Sequence, residues 1–324
     1  MKRKPLRGSL AIIGKALVPL LFLYSAPSHA DVSFKSMHAL VVDDESGEVL
    51  LEKNAEAVAP IASLTKLMTA MVILDAGQDK DALIRIEKAD VYTIRHTGFG
   101  APIGAHATRD SLLELMLMTS DNHAAMALAR AYPGGFLEFK LAMNRKIREL
   151  GLNSTAIEEP TGLSPNNRAS AVDVTRILRA ASTYPEIVKF TTQSNNRVEV
   201  RGRTREYRNT NSLVGAPGWN ILLSKTGFTN PAGRCVAMRM MTAGKTVTVV
   251  LLGAWSKAQR TRDALTVRQW LAQKKNSSVK SARHAPAPQF IQAVYNPASR
   301  SEVAAVKEDL WSLKMDASMG GLAQ

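Results

Sequence analysis

Apolar positions along the chain change period several times, and each change predicts an element. Residues 39–42 and 49–51 are two apolar runs on either side of a turn at Glu45–Gly47, which predicts a β-hairpin. Apolar residues then fall at 64, 67, 68, 71 and 74, the period of a helix that begins at or just before Ser63. Residues 83–86 read as a short strand, and 92–108, with three glycines, as a loop. A helix from Arg109 through Leu112, Leu113, Leu115, Met116 and Met118 halts at Thr119–Asn122. A second apolar pattern then runs from Ala125 to Ala129, so Ser120–Asn122 occupies a corner between two helices. Further helices are predicted over 136–150 and 171–181, with a turn-rich loop at 159–165 between them.

Beyond Tyr184 the pattern turns to strands, at 197–201, 220–224, 235–241 and 246–254. A helix over 261–274 closes the series, with Leu265, Val267, Trp270 and Leu271 apolar. Strands, helices, strands, helix is the order of an α/β (α+β) domain. One sheet is built from both ends of residues 31–275, with a mainly helical insert at about 75–190. Residues 276–288 are rich in Ser, Ala, Pro and Lys and read as a linker. One short helix is expected over 302–314 in the remaining tail.

The first thirty residues stand apart. Lys2, Arg3, Lys4 and Arg7 precede a mostly apolar stretch, and Ser28-His29-Ala30 is a small-x-small ending. This predicts a signal peptide cleaved after Ala30, hence export to the periplasm. The apolar run 16–24 is too short to cross a bilayer, so at most peripheral membrane contact is expected. Removing the five basic residues of this segment lowers the formal charge from +14 to +9. A basic exported protein suits an anionic polymer such as cell-wall peptide, though the charge serves solubility equally well. No nucleic-acid motif is present. Cys235 is the single cysteine, in an apolar run, and is expected to be a buried strand residue. Neither HExxH nor a cysteine–histidine cluster occurs, so no metal or other cofactor is expected.

Candidate chemistry begins at Ser63-x-x-Lys66. The two residues lie about one helical turn apart, which brings an amine within reach of a hydroxyl. A serine is a weak nucleophile until a neighbouring base takes its proton. The pair by itself is weak, since Ser277 and Lys280 repeat it. Two further patterns follow in order, Ser120-Asp121-Asn122 and Lys225-Thr226-Gly227. S-x-N recurs at 164–166 and 194–196, but a corner between buried helices holds Ser120 in a defined geometry. K-T-G occurs once, after a strand-like run whose edge could pair with an extended peptide.

These three motifs in this order are those of class A β-lactamases and penicillin-binding proteins. From about Phe34 to Lys274 the sequence resembles the serine D-alanyl-D-alanine peptidases, the low-molecular-mass penicillin-binding proteins. The likeness is carried by residues 43–50, 60–69, 104–129, 159–173 and 223–235. Within the family it is most similar to the endopeptidase type, through 159–165 and 220–235. The resemblance implies a β-lactamase/transpeptidase-like fold, with a central antiparallel sheet flanked by helices. It also implies peptidoglycan peptide stems as substrate and β-lactams as covalent inhibitors.

The expected roles follow from chemistry and from the resemblance alike. Ser63 is the nucleophile and Lys66 the base. Free lysine is neutral in only about one molecule in 10³ at pH 7, so burial must lower its pKa, with Lys225 as a second cation lowering it further. Ser120 relays a proton to the leaving amine. Asn122 holds a substrate amide, and Lys225 and Thr226 bind the terminal carboxylate. Gly227 lets the backbone come close. The N–H groups of Ser63 and Phe228 form an oxyanion hole. Asp121 reads as a helix cap, and Arg234 either as a carboxylate ligand or as a surface residue.

Four functions compete. A D,D-endopeptidase would cut 4→3 cross-links between stems. A D,D-carboxypeptidase would remove terminal D-Ala by the same chemistry. Carboxypeptidases of this family usually carry a β-rich domain and an amphipathic anchor, and about fifty residues after Lys274 are too few for both, which favours the endopeptidase. A β-lactamase would need a water-activating glutamate. Glu158 and Glu159 fall in the right region, but Glu-Glu-Pro-Thr-Gly-Leu lacks the E-x-x-L-N pattern. A non-catalytic cell-wall binding protein would have no use for the nucleophilic set.

Overall fold

The computed structural model describes residues 32–92 and 101–284. The expected signal peptide and the helix over 302–314 lie outside them. Five strands form the central sheet, in the order Val49–Lys53, His38–Asp43, Lys245–Ala254, Gly233–Thr242, Asn220–Thr229. Every neighbouring pair is antiparallel. The two N-terminal strands pair with three from the other end of the domain, and helices fill the sequence between.

Alternation along the strands feeds two cores. Leu40, Val42, Leu223, Ala237, Val250 and Leu252 join one cluster with the Ser63 helix and the helical insert. Val41, Val236, Met238, Val247, Val249 and Leu251 point the other way, onto Ala264, Val267 and Leu271 of the closing helix. A sheet buried on both faces explains strands that read as nearly continuous apolar runs.

Helices over Arg109–Glu114, Asn122–Arg130, Gly135–Glu149 and Ala171–Ala181 agree with the periodicity. Two differences have physical causes. Pro185–Thr192 is a helix at the end of the expected helical insert, although no apolar period singled it out. Proline at its first turn suits a helix start, and Ile187 and Phe190 supply a buried face too short to register as a period. The closing helix runs Lys257–His284, beyond the end expected at Lys274 and into the stretch expected as a linker. No glycine or proline interrupts the chain from Lys257 to His284, and the helix stops two residues before Pro286. Within 92–108, the segment His106–Thr108 is a short strand paired with Leu83–Arg85 rather than loop. Cys235 is buried in its strand, and burial raises its thiol to about 11.

Candidate active site

Ser63 sits in a single 3-10 turn, Ala62–Leu64, that leads into the helix Thr65–Asp75. It is not a helix cap; Leu64 holds that position, without a side-chain bond. Ala62 adopts a left-handed backbone at φ 46°, an uncommon conformation for a residue with a Cβ. The turn is held from outside. Thr65 Oγ1 donates to the Ala62 carbonyl at 2.8 Å, and Asn167 Nδ2 donates to Thr65 Oγ1 at 3.2 Å.

Lys66 is fully buried, and its Nζ has three partners. These are Ser63 Oγ at 2.9 Å, Asn122 Oδ1 at 2.6 Å and the Thr161 carbonyl at 2.6 Å. Burial pushes its pKa down to about 7, while the charges of Glu159 and Asp121 pull it partly back. A neutral amine has two N–H donors and one lone pair. Asn122 Oδ1 and the Thr161 oxygen can only accept, so they take both protons. The lone pair is left facing the Ser63 hydroxyl, the orientation a general base requires.

The Thr161 carbonyl belongs to a loop built around Glu159. That carboxylate accepts from Thr161 N at 2.7 Å, Thr161 Oγ1 at 2.5 Å, Gly162 N at 2.7 Å and Asn167 Nδ2 at 3.1 Å. Both of its oxygens are thereby committed to the loop. Thr69 Oγ1 donates to the Pro160 carbonyl at 2.8 Å and ties the loop to the Ser63 helix. The Lys66–Thr161 and Thr69–Pro160 contacts have no sequence signature, because each joins segments about 90 residues apart.

Ser120 is the left-handed residue, φ 65°, that ends a π-helical turn over Leu115–Thr119. Asp121 caps the following helix, accepting from Ala124 N at 3.0 Å, and it also accepts from Ala101 N at 2.9 Å. Its structural role is the one read from sequence. Asn122 turns its Oδ1 to Lys66, which leaves its NH₂ group to meet a substrate.

Lys225-Thr226-Gly227 lies on the edge strand of the sheet. Lys225 is buried, its Nζ donates to the Thr226 carbonyl at 3.2 Å, and Thr226 Oγ1 donates to Thr210 Oγ1 at 2.7 Å. Burial, followed by the charges of Lys66 and Arg260, drives the Lys225 pKa well below its usual value. Like charges disfavour one another mutually, so Lys66 and Lys225 act on each other as a pair of buried cations. At Gly227 a Cβ would stand 3.0 Å from Ala62 Cβ, Ile61 O and Ser63 N. Strand register sets Arg234 opposite Phe228, and its guanidinium stacks 3.5 Å from the ring centroid.

Ser63, Ser120, Asn122, Thr226, Gly227 and Phe228 line one cleft of about 450 Å³. Arg234, Arg260, Lys257, Leu163, Asn209 and Thr210 line it too. Lys66 reaches it through Ser63, and Lys225 lies beneath it next to Thr226. Lys257 and Arg260 come from the first turn of the closing helix and were not legible as site residues, since charged residues on a helix face are commonplace.

Solved structures share this fold. The Streptomyces K15 DD-transpeptidase superposes with a TM-score of 0.68 at 24% identity, covering 74% of this chain and 97% of its own. Penicillin-binding protein D2 from Listeria monocytogenes, in an ampicillin-bound form, gives 0.63 at 26%, covering 74% and 98%. The fold is that of the DD-transpeptidases and penicillin-binding proteins. Residues 25–256 match the peptidase S11 family, described as D-alanyl-D-alanine carboxypeptidase, and the chain belongs to that family of serine-type D-alanyl-D-alanine peptidases. A D-alanyl-D-alanine endopeptidase of Pseudomonas aeruginosa is 42% identical over 235 residues, 72% of this chain and 76% of the relative. One from Escherichia coli is 37% identical over 249 residues, 76% and 80% respectively. A carboxypeptidase of Bacillus subtilis, DacF, is 30% identical over 268 residues, 77% and 67%.

Proposed function

We propose that the protein is a periplasmic D-alanyl-D-alanine endopeptidase that cuts D-Ala cross-links between peptidoglycan stems through an acyl-enzyme. The observation that carries the chemistry is the 2.9 Å contact between Ser63 Oγ and a fully buried Lys66 whose pKa is near 7. The endopeptidase preference rests on the names of the two relatives above, at 42% and 37% identity.

In this reading Ser63 Oγ attacks the D-Ala carbonyl as its proton passes to Lys66 Nζ. The developing oxyanion is held by the backbone N–H groups of Ser63 and Phe228, each such donor being worth about 10²–10³ in rate. The C–N bond then breaks, and Ser120 passes a proton from Lys66 to the leaving amine. Water hydrolyses the acyl-enzyme with Lys66 again as base. Lys225 and Thr226 receive the substrate carboxylate, supported by Arg260 and Arg234. An arriving carboxylate favours the protonated form of Lys225, restoring the charge that burial suppresses. Gly227 and Asn122 line the path of the peptide. A β-lactamase reading is disfavoured, because the Glu159 carboxylate is bound up by its own loop and Glu158 lines the neighbouring pocket rather than the catalytic cleft. Export rests on the N-terminal thirty residues. Among the described residues no helix is long and apolar enough to cross a membrane.

Digestion of purified cross-linked muropeptides beside pentapeptide monomers, with products identified by mass, tests the assignment. Cleaved dimers are expected. Loss of one D-Ala from monomers with dimers intact would make it a carboxypeptidase. Rapid turnover of penicillin without peptide cleavage would make it a β-lactamase.

A further inference from the structure

A second pocket of about 500 Å³ opens beside the catalytic cleft. Leu163 lines both, so the two are neighbours that share one side chain as a wall. Met126, Phe136 and Leu163 give the pocket apolar walls, and Glu158 and Glu159 supply its carboxylates. They differ in availability. Glu159 is consumed by loop donors, as described above. Glu158 is exposed, and its Oε2 accepts from Ser164 Oγ and from Asn166 Nδ2 at 3.2 Å. Those bonds pin the carboxylate to the loop and lower its pKa, helped by the charge of Lys140, so it stays ionised. Among the described residues none donates to its Oε1.

We infer that this pocket receives the side chain of the diamino acid preceding D-Ala in the acyl-donor stem, with Glu158 pairing its free terminal ammonium. The inference rests on the peptidase reading of the site. Its grounds are adjacency and charge. A methylene chain ending in an ammonium matches apolar walls with an acidic group, the chain packing while the charged head stays near water. Elsewhere the catalytic cleft is lined by Arg234, Lys257 and Arg260, with Lys225 behind them, and would repel that ammonium. The loop carrying Glu158 is the one that presents the Thr161 carbonyl to Lys66, so a side chain seated there lies on the base's side of the cleft.

The test uses two peptides, Nα-acetyl-L-Lys-D-Ala-D-Ala and its Nα,Nε-diacetyl form, which differ only in the ammonium. The wild-type protein is expected to prefer the free amine by about two- to fivefold in kcat/KM, as suits a solvent-exposed ion pair. Glu158→Gln should erase the preference and Glu158→Lys invert it, with the rate of penicillin acylation equal in all three proteins. The wild-type preference should also shrink with added salt. Where hydrolysis is slow, the same peptides are ranked as competitors of penicillin acylation. Equal handling of the two peptides by the wild type, or a preference that survives in Glu158→Gln, overturns the subsite. Failure of the wild type to be acylated by penicillin or to bind either peptide overturns the peptidase reading instead.

Discussion

Gly162 lies directly against Ala62: a Cβ on Gly162 would stand 1.9 Å from the Ala62 carbonyl oxygen and 2.8 Å from Ser63 N. Its φ of 85° is itself a left-handed backbone that L side chains rarely adopt. The loop that orients Lys66 and the turn that carries Ser63 are thus in contact, backbone to backbone. Gly162→Ala cannot be accommodated without moving one of them. Its penicillin acylation rate is expected to fall by about 10²-fold or more, because small misplacements at a reacting centre are costly. Its thermal midpoint should fall as well. Gly227→Ala, whose Cβ would meet three atoms at 3.0 Å, is expected to be milder on both counts. Labelling time courses with fluorescent penicillin and thermal melts of the two variants check the ranking.

The pKa of Lys66, near 7, sets a pH dependence for both activity and stability. Below it the amine is protonated and cannot accept the Ser63 proton, so the acylation rate should rise through about pH 7 and level off above it. In the unfolded chain the same lysine keeps its proton up to about pH 10.4. Between those values the unfolded state binds more protons, so stability rises with pH. That gain is absent below about pH 7. Lys225, shifted in the same direction by burial, adds to the trend. The urea midpoint of the wild-type protein should therefore climb relative to that of Lys66→Met between pH 6 and pH 9. A constant difference would mean that Lys66 is charged in the folded state throughout.

Lys225→Ala removes the amine beneath Thr226 from a cleft edge where a substrate carboxylate would dock. A lost hydrogen bond to a charged group is worth about 10- to 100-fold in kcat/KM. The loss should appear mainly in KM for peptides with a free carboxylate, and much less for the corresponding amides. Steady-state kinetics with acid and amide pairs measure it. Equal losses on both substrates would assign Lys225 to the structure of the strand instead.

Asp121 couples two tasks, capping the helix after Ser120 and tethering Ala101 N. Asp121→Ala should cost about 0.5–2 kcal/mol of stability from the cap alone. It should also slow acylation, because the neighbouring Ser120 holds a left-handed backbone that its surroundings must maintain. Asp121→Asn keeps one accepting oxygen for the Ala124 cap but sets an NH₂ donor against Ala101 N, so it is expected to recover only the capping part of the stability. Denaturant melts and penicillin labelling of the pair separate the two effects.

Much of the site was readable along the chain. Ser63 and Lys66 meet because three residues make about one helical turn, a distance set by local geometry. Ser120 and Asp121 could be placed because an apolar period stops and restarts around them. Lys225 could be assigned to a strand because the residues leading to it are apolar, and Asp121 to a cap because its chemistry suits one. The two-ended sheet followed from the order of periods.

What no local pattern contained was the environment of the amine. The Asn122 and Thr161 oxygens that orient Lys66, the Gly162 contact, and the reach of Arg260 into the cleft all join residues distant in sequence. A pKa near 7 exists only because packing removes water from an amine that, on an isolated helix, would remain solvated and charged. Sequence by itself determined which groups could react and on which elements they ride, since those depend on neighbours a few residues away. Tertiary structure alone decided their protonation and aim, since burial and hydrogen-bond direction are properties of surroundings assembled from the whole chain.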